Sequence, residues 1–315
     1  MALTRSQADE EAQGAPGHGA QAPRPGAARF ATDAAGLGVG RAAAFVAPAL
    51  ILIAIFLVFP ALWVILLGLS NYSLTGAAAA NPEFVGLDYF AKALTDGRFG
   101  NSTWLTFQFV LGSAVIGQAV LGFILAKVLH GRIKRLVEGL VILAWILPSA
   151  VVSFLWVALL DRDSGTLNAL LGIPGFAWLI DHPMLSIIIF NTWRGTAFSM
   201  MLYGAALGNV PPSHLESARL AGANAWQQLR DVIFPHIRGH ILTNLLLISL
   251  WTFNDFSPFL LTAGGPDGKS EVLAVFVYKV ALFGGELGYG AAVSTVILLI
   301  NLVVAVFYLR MLRKR

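Results

Sequence analysis

Six long apolar stretches set the terms for this chain. They lie near residues 43–70, 103–129, 136–160, 184–209, 239–262 and 289–310. At 1.5 Å per helical residue, each is long enough to cross about 30 Å of hydrocarbon. Lipid offers backbone N–H and C=O groups no partner, so a spanning segment must satisfy them internally. The expected fold class is therefore all-α, a polytopic membrane protein built as a six-helix bundle. Pro48, Pro60 and Pro148 lie inside or near the ends of these runs and predict kinks that a membrane helix tolerates.

Composition agrees. Of 315 residues, 57% are apolar and only 12% charged, far from the quarter typical of soluble domains. The absence of cysteine excludes disulfides, thiolate metal sites and a cysteine nucleophile. A net charge of +4 would suit nucleic acid, but the basic residues gather at the ends of the spans, where topology requires them. Residues 1–41 are rich in Ala, Gly, Pro and Gln, without a sustained apolar period. They read as a disordered cytoplasmic tail ahead of a membrane domain over 42–315, and no apolar core marks a cleaved signal peptide. Gly36, Gly38 and Gly40 follow no strand pattern, so they do not read as a dinucleotide loop.

Lysine and arginine set the orientation. With the N-terminus inside, 15 of the 21 fall on the inner side, five fall outside (Lys92, Arg98, Arg162, Lys269 and Lys279), and Arg194 lies within a span. Both termini and the loop over 210–238 are then expected in the cytoplasm.

That loop is a polar, helical island, PPSHLESARLAGANAWQQLRDVIFP, at 211–235. Pro211 and Pro212 suit a helix entrance, and Ser213 and Glu216 have the spacing of a capping box. Leu215, Ala218, Gly222, Trp226, Leu229 and Ile233 step by three or four into one apolar stripe, a face made to dock. Gly222 predicts a bend or a break into two short helices.

This stretch resembles the cytoplasmic loop of permease subunits of binding-protein-dependent ABC importers. The family pattern is Glu-Ala-Ala, three residues, Gly, nine residues, Ile, one residue, Leu-Pro. Glu216, Ser217, Ala218, Gly222, Val232, Phe234 and Pro235 fall on it in register. Ser217, Val232 and Phe234 are conservative departures, and Ala221 stands where carbohydrate-type members usually carry Asp. FVGLDYF at 84–90, LTAGGP at 261–266 and GYGAA at 288–292 resemble further segments of carbohydrate-type permeases, so the likeness covers roughly 43–312. The resemblance implies a six-helix permease fold working by alternating access. It implies a second permease, two cytoplasmic ATPases and an extracytoplasmic solute-binding protein as partners. It makes 211–235 the coupling helix, with Ser213, Leu215, Glu216, Ala218, Gly222, Trp226, Leu229 and Pro235 as ATPase-coupling residues. ATP and Mg would be bound by the partner subunits, and this chain would be no enzyme and carry no cofactor of its own. A bacterial cytoplasmic membrane location follows from the same likeness.

The residues point to chemistry within the spans. Asn191, Trp193 and Arg194 lie in the fourth, and Trp251, Phe253, Asn254 and Asp255 in the fifth. An intramembrane charge must face the bundle interior or water and find a partner. By helical rise, Arg194 lies about 15 Å and Asp255 about 10 Å below the outer surface, close enough for a pair. These seven residues read as the border of a substrate pathway, where amides and carboxylate bond sugar hydroxyls and aromatic faces stack on the ring. The competing reading is a charge pair that only fixes helix packing, and the spacing leaves both open. Glu138 reads as an ion pair with Lys134 or Arg135, and Gln118 as interhelical glue.

Other motifs carry less. GGPDGKS at 264–270 has the end of a phosphate loop, but its first glycine position is Ala263 and no strand precedes it. His214, His236 and His240 flank the loop and read as solvated residues, not metal ligands. Import of glycerol phosphate or a polyol by the same mechanism is the nearest alternative. An ion-gradient-driven secondary transporter with Asp255 as its coupling acid is the other. A scaffold without a solute pathway is a third.

Overall fold

The structure, a computed structural model, describes residues 39–129 and 131–313. The expected tail lies outside these residues except for its last three positions, which already belong to a helix starting at Val39. Contacts divide the chain into Met1–Pro60 and Ala61–Arg315. In the first unit the helix contains Pro48 and widens into a five-residue π turn at Ala54–Val58, just before Pro60. Pro60 has no N–H to offer the carbonyl four residues back, which relaxes the turn there.

In chain order the principal helices are α1 (Ala43–Gly68), α2 (Asp88–Thr95), α3 (Gly97–Val128), α4 (Gly131–Ile146), α5 (Ser149–Leu159), α6 (Pro183–Gly208) and α7 (Pro212–Leu220). They continue with α8 (Ala225–Phe253), α9 (Ser257–Thr262), α10 (Leu273–Phe283) and α11 (Leu287–Arg313). Among the described residues, four are long and apolar enough to cross a membrane: α1, α3, α8 and α11. The pair α4 and α5 becomes a fifth crossing if read as one span, although it bends by 106°. The helix α6 has the length, at 26 residues, but its centre holds Asn191, Thr192 and Arg194, which dilute its apolar character.

Two expected spans are not continuous. The run over 136–160 breaks at Leu147–Pro148, because Pro148 cannot donate into a helix and holds the preceding residue out of the α region. The run over 239–262 stops at Phe253 and restarts as α9. There the Asp255 carboxylate accepts from the Ser257 backbone N–H (3.1 Å) and hydroxyl (2.8 Å), and Pro258 opens the new turn.

The bundle centre is the packing of α3 on α6. Side-chain-free positions permit it: a Cβ on Gly122 would lie 2.4 Å from the Ser199 Cβ and 2.8 Å from the Met200 backbone nitrogen. Small residues are the usual means of close helix approach where lipid supplies no hydrophobic drive. The buried Asn244 of α8 reaches Ser199 (3.0 Å) and Tyr203 (2.9 Å) of α6, so a hydrogen-bonded cluster ties the third helix to this pair. At one end of α6, Phe109, Val152, Ile187 and Phe190 form an apolar core. At the other, Ala206, Val210, Ile233 and Ile237 do.

Candidate functional site: a cavity between interrupted helices

A cavity of about 550 Å³ opens where the two broken helices meet α6. Trp145, beside the first break, and Trp251, Asn254 and Asp255, at the second, line it together with Gln118, Asn191 and Arg194. Irregular backbone at membrane depth is tolerated where it lines a cavity, so the two interruptions and the hollow explain each other.

Arg194 and Asp255 pair as expected, with Nη1 3.8 Å from Oδ1. Arg194 also donates to the Ser257 hydroxyl at 3.2 Å, so Ser257 bridges the two charges. The Arg194 Nε and the Asp255 Oδ2 are buried without a hydrogen-bond partner. Asn191 is buried and donates to Ser113 (2.8 Å) and Thr252 (3.1 Å), while Gln118 donates to the Asn191 carbonyl (3.1 Å). Gln118 is thus interhelical glue and a wall of the cavity at once.

Two expected pathway residues lie elsewhere. Trp193 packs on Trp156, with ring centroids 5.5 Å apart, and does not line this cavity. Phe253 is buried edge-on to Phe107 and lines a separate hollow of about 470 Å³. A helix turns 100° per residue, so neighbours such as Trp193 and Arg194 leave on different faces. Asn254 lines both hollows and exchanges amide hydrogen bonds at 3.3 Å with Asn301 of α11, a partner sequence spacing could not supply.

The loop over 211–235 projects from the far end of α6. Its break at Gly222 is present: φ is +80°, the Gly222 N–H meets the Arg219 carbonyl, and the Ala223 N–H meets the Ala218 carbonyl, both at 2.9 Å. This is the paired closure of a helix ending in a left-handed glycine. The expected Ser213–Glu216 capping box is absent, since α7 begins at Pro212 with no side-chain cap. Proline already supplies the start, and the reciprocal box forms instead in the second half, between Asn224 and Gln227 (2.8 and 2.9 Å). The single stripe is also corrected. Leu215, Leu229 and Ile233 pack against Val210 and Ile237 at the base of the bundle. Trp226 is 64% exposed and Leu220 91% exposed. The turn at Gly222 interrupts the 3.6-residue period, so Trp226 falls outside the face that Leu215 shares with Leu229 and Ile233.

At the opposite end, Glu271 is buried between Arg98 (2.7 and 3.1 Å) and Lys279 (2.7 Å). Burial pushes its carboxyl up, but the bonds to Arg98 and Lys279 outweigh this and hold it below the ordinary range. The GGPDGKS segment shapes this site. Gly264, Gly265 and Gly268 all take positive φ, and a Cβ on Gly264 would lie 2.8 Å from the Lys279 ammonium nitrogen. The sequence gives no sign of the triad because Arg98 lies 173 positions from Glu271, and Glu271 merely opens an apolar run. Glu138 pairs with Lys134 at 3.7 Å.

Comparison with known proteins adds to this geometry. The family described as "Binding-protein-dependent transport system inner membrane component" matches residues 118–315. A probable ABC transporter permease protein of Pyrococcus horikoshii is 30% identical over 277 residues, covering 84% of this chain and 93% of that protein. The sulfoquinovosyl glycerol transport system permease protein of Agrobacterium fabrum is 24% identical, covering 85% of this chain and 89% of its own. Among solved structures, a bacterial ABC transporter involved in import of the acidic polysaccharide alginate superposes with a TM-score of 0.71. It is 22% identical and covers 86% of this chain and 94% of that one, a likeness of fold.

Proposed function

The chain belongs to the family of inner membrane components of binding-protein-dependent transport systems, and from that premise we propose that it is the membrane-spanning subunit of an ATP-driven carbohydrate importer. It is a multi-pass inner-membrane protein. Its partners in this reading are a second permease, two cytoplasmic ATPases and an extracytoplasmic solute-binding protein. The named cargo of the Agrobacterium fabrum relative, sulfoquinovosyl glycerol, supports the solute class.

Counting α4 with α5 as one crossing and α6 as another gives six, with both ends and the 211–235 loop in the cytoplasm, as the lysine and arginine bias requires. The observation that carries the reading is the cavity between the two helix breaks. Amides of Gln118, Asn191 and Asn254 can serve hydroxyls, and Trp145 and Trp251 present faces for the C–H surface of a sugar ring.

The mechanism follows from the parts. The ATPases hold ATP and Mg and supply the movement. This chain's work is mechanical, not catalytic. The exposed Leu220 and Trp226 form the surface offered to the ATPase, while Leu215 and Leu229, turned inward, carry its displacement into α6 and α8. Coupling requires contacts that differ between inward and outward states, and a lever rooted in the Val210–Ile237 core meets that requirement. Reconstitution with the partners in proteoliposomes tests the proposal. Uptake of labelled oligosaccharide should require ATP, the ATPases and the binding protein. Uptake by the purified chain alone would overturn it.

A further inference from the structure

We propose that His214 and His236 form a site for a divalent transition-metal cation of the imidazole-seeking class, Ni²⁺, Cu²⁺ or Zn²⁺, which staples α7 to α8.

The fold brings these residues together from 22 positions apart. The His214 Nδ1 lies 3.0 Å from the His236 Nε2, and both side chains are exposed. The other nitrogen of His236, Nδ1, lies 2.7 Å from the Val232 carbonyl oxygen. A carbonyl only accepts, so Nδ1 carries the proton and Nε2 presents a lone pair. A ligating histidine is typically held this way, with its second nitrogen donating to a backbone carbonyl that fixes tautomer and ring orientation. His214 donates into that lone pair in the metal-free state. On binding, its proton passes through solvent from Nδ1 to Nε2, and Nδ1 becomes the second ligand with no net proton released.

The separation suits the chemistry. Two nitrogens each about 2.0 Å from a metal are about 2.8 Å apart in a cis square-planar arrangement and about 3.3 Å apart in a tetrahedral one. The observed 3.0 Å falls between, so the nitrogen separation changes by only a few tenths of an ångström in either case, while the exposed rings turn to aim both lone pairs at one point. Water completes the coordination, since no group of three or more His, Cys, Asp or Glu that could hold a metal occurs among the described residues.

The test is calorimetric titration of the untagged, detergent-solubilised full chain with NiCl₂ in a non-chelating buffer. One site per chain is expected, with affinity reduced at least tenfold by His214→Ala and by His236→Ala. His240→Ala removes the histidine one turn along α8 and should leave binding unchanged. Hydrogen exchange gives the second readout: Ni²⁺ should slow exchange in 213–220 of the unaltered chain and not in His214→Ala, since the staple restrains α7. Loss of the site in His240→Ala but not in His214→Ala would put the metal on one helix face and overturn the proposal. So would unaltered affinity in both His214→Ala and His236→Ala, or binding with no slowing in α7.

Discussion

The ion pair at the second helix break gives the sharpest test of what the cavity is for. Asp255→Asn keeps the shape and can keep accepting from the Ser257 N–H, so it removes mainly the charge. At 3.8 Å and an effective dielectric near 20, the attraction to Arg194 is about 4 kcal/mol. The side chains are 26% and 16% exposed, so solvent screening leaves roughly half, about 2 kcal/mol. A chain of this size should then melt about 4 °C lower in detergent. Removing both charges, with Arg194→Gln added, strands no ion and should recover most of that stability. The reading of the pair as part of the solute pathway makes a further demand: the double variant should regain stability and assembly yet transport at under a tenth of the normal rate. Thermal unfolding and ATP-dependent uptake, measured on the unaltered chain, the single variant and the double variant, separate the cases. Uptake restored along with stability would reduce the pair to a packing device. An unchanged melting temperature in Asp255→Asn would show that the pair does not hold α6 to the break.

Three other substitutions or conditions probe separate links. Gly222 has open space around it, so its constraint is its φ of +80° alone; Gly222→Val should cost about 1–2 kcal/mol locally and uncouple transport from ATP hydrolysis while insertion stays normal, whereas Gly222→Asn, which tolerates the left-handed region, should retain most uptake. Gly122→Ala drives a methyl into the Ser199–Met200 backbone, and the separation of α3 from α6 should destabilise the chain by about 3 kcal/mol, read as reduced yield and an earlier melting transition. The carboxyl of Glu271 is held below its ordinary range, so the stabilisation it contributes is full above that range and is lost as pH falls through the lowered value. Acid unfolding should therefore begin at higher pH in the unaltered chain than in Glu271→Gln relative to each one's own neutral-pH stability, and a parallel pair of curves would show the triad to be inert.

Much of this protein was legible from local pattern. A span is a one-dimensional property: enough apolar residues in a row oblige the backbone to bond itself, wherever the neighbours lie. The break at Gly222 was legible for the same reason, because a left-handed φ is a preference of one residue type. The Arg194–Asp255 pair was legible as a requirement, since a charge in lipid must find its opposite and the chain offers few.

What depends on directions in space was decided only by the tertiary structure. Pro148 and Pro258 announce trouble for a helix, but the 106° turn and the hollow it borders follow from what packs on either side. Trp193 and Arg194 are adjacent in sequence and part company around the helix axis. Trp226 leaves the stripe that Leu215 shares with Leu229 and Ile233, because the turn at Gly222 interrupts the helical period between them. Glu271 finds Arg98 across 173 positions, and His214 finds His236 across 22, through loops whose course no periodicity encodes. Hydrophobic burial is non-directional and fixes which segments enter the membrane, whereas hydrogen bonds and ion pairs are directional and short, so their partners exist only once the helices have taken their places.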